Sequence, residues 1–315
     1  MLVSAPAHAH HGVASLGVAG PEGPGTALET TSAMPLPRLA VFGMLKTELV
    51  PFQHRSHAEP ENKSLSSFNT AALGFGVLPW LSAYVFQPYN LKVQDGVGAN
   101  SGPGDTNVML SLGAKWDEGL RLVPEKESLD ELADLHVGLW VSLTLPAGPT
   151  NELDDRGQPF APDMQTGFGE PSPAFGLSLL KQASEDFTWL GEINYQHFFM
   201  HRYPTTVYRF GGETRVNTAL AWRAYAAGRF RADVSGELCF LHLQRDQERG
   251  TDLEASGGSI LYAGLGVRAS YAGFSAALGA RYAVAKSLNE QADQQGSEGL
   301  EMLRVSLALS YSIGL

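Results

Sequence analysis

The sequence predicts an all-β fold, a closed antiparallel transmembrane β-barrel of about twelve strands. Three observations predict it. From Arg38 onward, apolar and polar residues alternate with a period of two, in stretches mostly 10–14 residues long. The connections between those stretches are alternately short and long. The composition is rich in glycine (35 of 315 residues) and poor in charge (17%), and no run approaches the ~18 apolar residues of a membrane helix.

Composition also removes function classes. A net charge of −11 and a pI near 5.3 disfavour a nucleic-acid surface, which needs clustered Lys and Arg. Cys239 is the single cysteine, so no intrachain disulfide and no zinc site built from Cys pairs can form.

Residues 1–9 read as the end of an export signal. Ala5-Pro6-Ala7 and Ala7-His8-Ala9 fit a small-x-small cleavage site, without a charged n-region or a full apolar h-region. Residues 10–37 form a Gly/Pro-rich arm, with Gly12, Gly17, Gly20, Gly23, Gly25, Pro21, Pro24, Pro35 and Pro37. Such a segment is neither regular helix nor strand. It is either a plug for the barrel or a disordered leader, and as a plug its Glu22 and Glu29 would meet basic residues of the wall.

The barrel occupies residues 38–315. Its strands are expected near 38–50, 65–77, 80–88, 106–116, 135–146, 173–182, 187–198, 213–226, 229–242, 258–270, 273–284 and 302–315. In segment 137–145, Val137, Leu139, Val141, Leu143 and Leu145 share one face; Gly138, Trp140, Ser142 and Thr144 share the other. The last stretch sets Val305, Leu307, Leu309, Tyr311, Ile313 and Leu315 against Ser306, Ala308, Ser310, Ser312 and Gly314. A soluble sandwich would use the same alternation with strands of about 5–6 residues. Tilted membrane strands need roughly 9–11, so length favours the membrane. Short links follow strands two, six, eight and ten, and long polar links follow the odd-numbered strands. One link, 117–134, should be short and is not; its Ser128-Leu-Asp-Glu131 fits a capping box and predicts a brief acidic helix.

Three motif segments carry a family resemblance: Gly104-Asp105-Thr106-Asn107, Leu143-Thr144-Leu145-Pro146-Ala147-Gly148, and the run from Phe160 to Gly169. With the C-terminal Tyr311, Ile313 and Leu315, they make residues 65–315 resemble the outer-membrane barrel family of transporters assigned to the phenol meta-cleavage pathway. The resemblance implies a bacterial outer-membrane location, a transport-type barrel and a Gram-negative source, and assigns no functional residue.

Parity along the strands predicts the lumen. Arg215, Arg223, Arg229, Arg231, Arg268, Arg281 and Arg304 fall on the polar face, with Asp233, Glu237 and Glu192. The arrangement is either an anion-favouring wall, since guanidinium forks bind carboxylate and phosphate, or an internal salt-bridge ladder. The aromatic residues Tyr195, Phe198, Phe199, Tyr203 and Tyr208 read as an interfacial girdle. His10 and His11, and His54 and His57 in the first long loop, form a candidate copper set.

The expected function is therefore an outer-membrane channel or transporter for small molecules, aromatic, apolar or anionic. The alternatives are a copper-binding surface barrel and a structural or adhesion barrel with a closed lumen. No phosphate loop, zinc set or Gly-x-Ser-x-Gly elbow occurs, so no enzyme and no cofactor is expected. The expected partners are outer-membrane lipid, a small solute and, through the C-terminal strand, the barrel-assembly machinery; nucleic acid is not among them.

Overall fold

The structure, a computed structural model, describes residues 27–52, 63–125, 127, 133–289, 301 and 303–314. Among these residues twelve long strands form one antiparallel ring. They are β1 (Val41–Pro51), β2 (Lys63–Leu78), β3 (Leu81–Gln94), β4 (Thr106–Trp116), β5 (Leu135–Leu145) and β6 (Ser172–Gln182). The ring continues with β7 (Phe187–Gln196), β8 (Glu213–Ala227), β9 (Phe230–Leu243), β10 (Gly258–Tyr271), β11 (Phe274–Leu288) and β12 (Leu303–Ile313). Each strand pairs with the next, and β1 pairs with β12 from Val41 opposite Ile313 to Leu49 opposite Val305. Every strand of the ring thus has a partner on each side.

Strand ends agree with the alternation pattern to within a few residues except in β3, expected to stop at Pro88 and running to Gln94. Proline lacks the N–H that a ladder requires, and it usually marks a strand boundary. Here Pro88 lies where β3 changes partner. Phe86 is the last residue opposite β4, and from Tyr89 onward β3 pairs with the short strand Gly98–Pro103. At the opposite end, the β10–β11 turn places Ala272 (φ 48°) and Gly273 (φ 85°) both in the left-handed region. That geometry suits the twist of a two-residue hairpin, and glycine adopts it without strain.

The apolar face points outward. Leu73, Leu110, Leu139, Leu265 and Leu278 are all at least half exposed, Leu265 at 72%. Their neighbours along the strands point into the ring. This is the orientation of a barrel in hydrocarbon and the inverse of a soluble one. Exposed aromatic residues bound the apolar band. Trp116, Trp222, Tyr225, Phe230, Tyr271 and Phe274 ring the end with short turns, and Tyr89, Phe175, Phe199, Phe240 and Tyr282 ring the end with long loops. Phe230 and Phe240 are ten residues apart on β9. At ~3.3 Å per residue and a tilt of ~40° they stand roughly 25 Å apart along the barrel axis, the height of a membrane-barrel belt.

Two expectations need correction. Phe198, Tyr203 and Tyr208 are buried, not girdle residues. They pack with Phe210, Phe168 and Leu253 inside the long loops, beneath a four-stranded sheet of His201–Arg202, Val207–Arg209, Gln247–Glu248 and Thr251–Asp252. The inner face is also not polar throughout. Near the short turns it carries Phe42, Met44, Tyr84, Phe86, Met109 and Trp140, which form an apolar cluster inside the lumen. The expected helix at 128–131 lies outside the described residues. Leu120–Leu122 of that connection folds back along β4, and Val123 donates its N–H to the Gly113 carbonyl.

Leu45 and Leu309 face each other across the closing seam. With Leu45→Cys and Leu309→Cys together, mild oxidation should form a disulfide that circularises the barrel, read as altered migration of the heated protein until reductant is added. Failure to cross-link would contradict the seam.

Candidate functional site

The residues preceding β1 run inside the barrel. Ala27 to Ser32, Ala33 and Leu36 are all buried. Leu36 packs into the apolar cluster with Phe42, Tyr84 and Trp140, and Ala27 and Ala33 pack against Leu180, Leu190, Ala219 and Ala221. The wall makes room through inward-facing glycines. A Cβ on Gly113 would come 2.5 Å from Pro35, one on Gly138 2.8 Å from Ala33, and those on Gly266 and Gly279 2.0 and 2.1 Å from Leu28. The arm thus crosses from the β4–β5 wall to the β10–β11 wall.

Wall carboxylates take up its backbone. The N–H groups of Leu28 and Glu29 donate to Glu237, and that of Thr31 donates to Glu192 (3.0 Å). The Leu36 N–H donates to Ser82 Oγ (2.8 Å). A non-strand segment inside a barrel cannot use the ladder, so side-chain acceptors must satisfy its donors.

Above the arm, on the β1 and β9–β12 side, charges fill the lumen in a chain. Glu29 lies 3.3 Å from both Lys46 and Arg281. Lys46 lies 3.4 Å from Glu48, Glu48 lies 3.7 Å from Arg304, and Arg304 pairs with Glu301 at 2.8 Å. Three cations and three carboxylates balance. Buried ions are tolerable only when paired in this way.

The residues singled out by parity separate in space. Arg281, Arg304 and Glu237 hold the arm or its ion chain. Arg268 donates to the Ala27 carbonyl (3.1 Å) and Ser275 (3.3 Å). Arg231 pairs with Asp233 at 2.7 Å. Arg215 pairs with Glu213 at 2.7 Å nearer the long loops. Arg223 is half-buried near the end of β8. Arg229 departs from expectation: it lies exposed in the Gly228–Arg229 turn, because β9 starts one residue later, at Phe230. His10, His11, His54 and His57 lie outside the described residues, as does Glu22. Among the described residues no group of three or more His, Cys, Asp or Glu could hold a metal ion.

A chamber remains on the β2–β8 side. About 110 Å³ of it is reachable by the centre of a water molecule. Thr31 of the arm forms part of its boundary, and Thr166 and Phe168 of the β5–β6 loop form another. Phe68, Phe86 and Trp140 line the β2, β3 and β5 wall; Asn194, Gln196 and Asn217 line the β7 and β8 wall. Arg215 and Glu192 are the two residues of the parity set that reach it. The amides and rings escaped sequence reasoning because neutral residues on a polar face carry no distinctive spacing.

The motif segments that carried the resemblance meet at this chamber. Asp105 Oδ1 accepts the Gly148 N–H and Oδ2 the Phe168 N–H, both at 2.7 Å. Gly148 and Gly167 touch so closely that a Cβ on Gly167 would come 2.3 Å from the Gly148 carbonyl oxygen. Lys92 donates to the carbonyls of Asp163 (2.8 Å) and Gln165. Burial pushes the Asp105 carboxyl above its ordinary pKa, opposed by the two N–H donors and by nearby Lys92 and His201.

In fold the chain is similar to an outer membrane channel from Pseudomonas putida F1, with a TM-score of 0.68, 13% identity, 91% of this chain covered and 100% of that one. The β domain of the Bordetella autotransporter Brka aligns with a TM-score of 0.48 and 10% identity over 88% of this chain and 100% of that one. The translocator domain of the autotransporter NalP from Neisseria meningitidis aligns with a TM-score of 0.41 and 11% identity, covering 88% of each chain. All three are outer-membrane barrels. No family model matches the chain, and no curated protein matches it.

Two outcomes check this geometry. Gly266→Val should expel Leu28 and expose the arm to protease while the barrel stays intact. Gly236→Val, where only Leu265 comes within 4.0 Å, should leave the arm protected. The second outcome concerns pH. The folded Asp105 holds its proton more tightly than the unfolded chain does, so stability from this group is present below about pH 4 and declines as pH rises through its raised pKa. The difference in melting temperature between wild type and Asp105→Asn should follow that decline. A difference independent of pH would contradict it.

Proposed function

We propose that the chain is an outer-membrane channel for small molecules, closed at its short-turn end by its own N-terminal arm. The seating of Ala27–Leu36 in a glycine-lined path beneath an open chamber carries this reading. A barrel built only as a scaffold has no need of a chamber, and filling its lumen with wall side chains is simpler. The apolar belt and its aromatic borders support a membrane location, and the short turns on the side where β1 starts and β12 ends support a periplasmic face for that end. The motif segments around Asp105 keep the transporter family of the phenol meta-cleavage pathway as the finer reading. The closed structural barrel is the second reading, favoured by the balanced ion chain, which fills the other half of the lumen.

Conductance separates the two. The full chain in planar bilayers should show small, rare openings. Glu29→Ala, which leaves Lys46 and Arg281 without their shared carboxylate, should raise the open fraction severalfold. A variant that frees the arm from protection yet leaves conductance at the background of empty bilayers would favour the structural barrel. Membrane placement has its own check. Leu139→Arg, in the middle of the outward band, should destabilise the barrel in lipid vesicles by about 2–4 kcal/mol, measured by urea unfolding.

A further inference from the structure

We propose that the seated arm occupies a carboxylate-binding site of the lumen wall, and that with the arm displaced this site takes a monovalent carboxylate from solution. The proposal rests on the channel reading and names a class of solute for it, small organic monocarboxylates.

The arm reveals the site by filling it. Glu29 is the one charged side chain between Ala27 and Pro37. Two wall cations hold its carboxylate, Lys46 on β1 and Arg281 on β11, the strands that flank β12. Lys46 Nζ lies 3.3 Å from both oxygens, and Arg281 Nη1 lies 3.3 Å from Oε2. All three side chains are buried. A flat group with two acceptor oxygens spans such a pair, and a spherical anion offers no such match.

Displacing the arm unbalances this wall by one charge. Arg281 donates to Glu29 and, among the described residues, to no other acceptor; its guanidinium also lies over the Tyr262 ring, 5.2 Å from the centroid. Lys46 keeps Glu48 at 3.4 Å, and Arg304 keeps Glu301 at 2.8 Å. Next to them on β9 and β10, Arg231 and Arg268 stand against Asp233 and Glu237. With the arm seated, five cations face five carboxylates; without Glu29, five face four. Rearrangement of the wall does not remove the deficit. Glu237, freed from the N–H groups of Leu28 and Glu29, can turn to Arg281 across Gly264, which lies between them in the register. Arg268, which has then lost the Ala27 carbonyl as well, is left short instead. A buried charge without a partner is strongly unfavourable. One monoanion cancels it, and a dianion overshoots.

Glu29→Ala removes from the arm a fragment with the size and charge of acetate, so acetate is the probe. The full chain is held in an amine-oxide detergent at fixed ionic strength, and the midpoint of heat-induced unfolding is read from gel migration. Sodium acetate should raise the midpoint of Glu29→Ala saturably, as a ligand of the folded state does. Sodium chloride and acetamide should not. The wild type fills the site with its own carboxylate, and Glu29→Gln fills it with a neutral amide, so neither should respond. Glu29→Ala combined with Arg281→Gln restores the charge balance and should lose the response. If that pair fails to fold, the contrast between Glu29→Ala and Glu29→Gln stands without it. No saturable response of Glu29→Ala overturns the proposal. So does an equal effect of chloride or acetamide, or an equal response of Glu29→Gln. In bilayers under a potassium acetate gradient, the reversal potential of Glu29→Ala should show acetate passing in preference to potassium; the opposite preference overturns the solute class. Acetate rescue in a protein that conducts nothing would sink the channel reading alone, and conductance without acetate rescue would sink the site alone.

Discussion

The constraint on which the structure depends is closure of the backbone ladder between β1 and β12. A peptide group facing hydrocarbon has no water to bond, so an open edge on a membrane sheet is untenable. Closing the ring satisfies the wall and creates a second problem. Twelve strands enclose more space than their own side chains fill, and less than an open porin. Much of the remaining structure concerns how that interior is occupied.

Three fillings divide it. Near the short turns, the arm and the inward Phe42, Met44, Tyr84 and Met109 make a dry core inside the barrel. Beside it, Lys46, Arg281 and Arg304 are neutralised by Glu29, Glu48 and Glu301. Glu29 belongs to both, since it is an arm residue within the ion chain. Its displacement therefore takes a carboxylate from buried Arg281 and leaves Lys46 with Glu48, which links the position of the arm to the charge balance of the lumen. The chamber is the third part, bounded by arm and loop.

Legibility in the sequence followed the range of the interaction. Strands were readable because alternation is local, and each residue declares its face by parity. The seam was readable from an even strand count. Pro88 misled because its exception depends on a change of partner, from β4 to Gly98–Pro103, that no local pattern encodes. The route of the arm was hidden for the same reason. Its single trace is the set of glycines at inward positions, Gly113, Gly138, Gly266 and Gly279, each of which reads alone as ordinary strand glycine. The arginines were placed on the correct face, apart from Arg229 in its turn. Arg215 and Arg231 pair two residues along their own strands, whereas Arg281 and Arg304 meet Glu29 and Glu48, which are distant in sequence. Parity could propose a positive wall and could not show that Glu48 and Glu301 balance it.

The central claim is that the arm lies inside the lumen with its backbone donors held by wall carboxylates. Amide hydrogen exchange of the full chain in lipid measures this directly at Leu28, Glu29 and Thr31. Donation to Glu237 and Glu192 predicts exchange as slow as that of the barrel strands. Exchange at the rate of an unstructured peptide at these three positions would contradict the account.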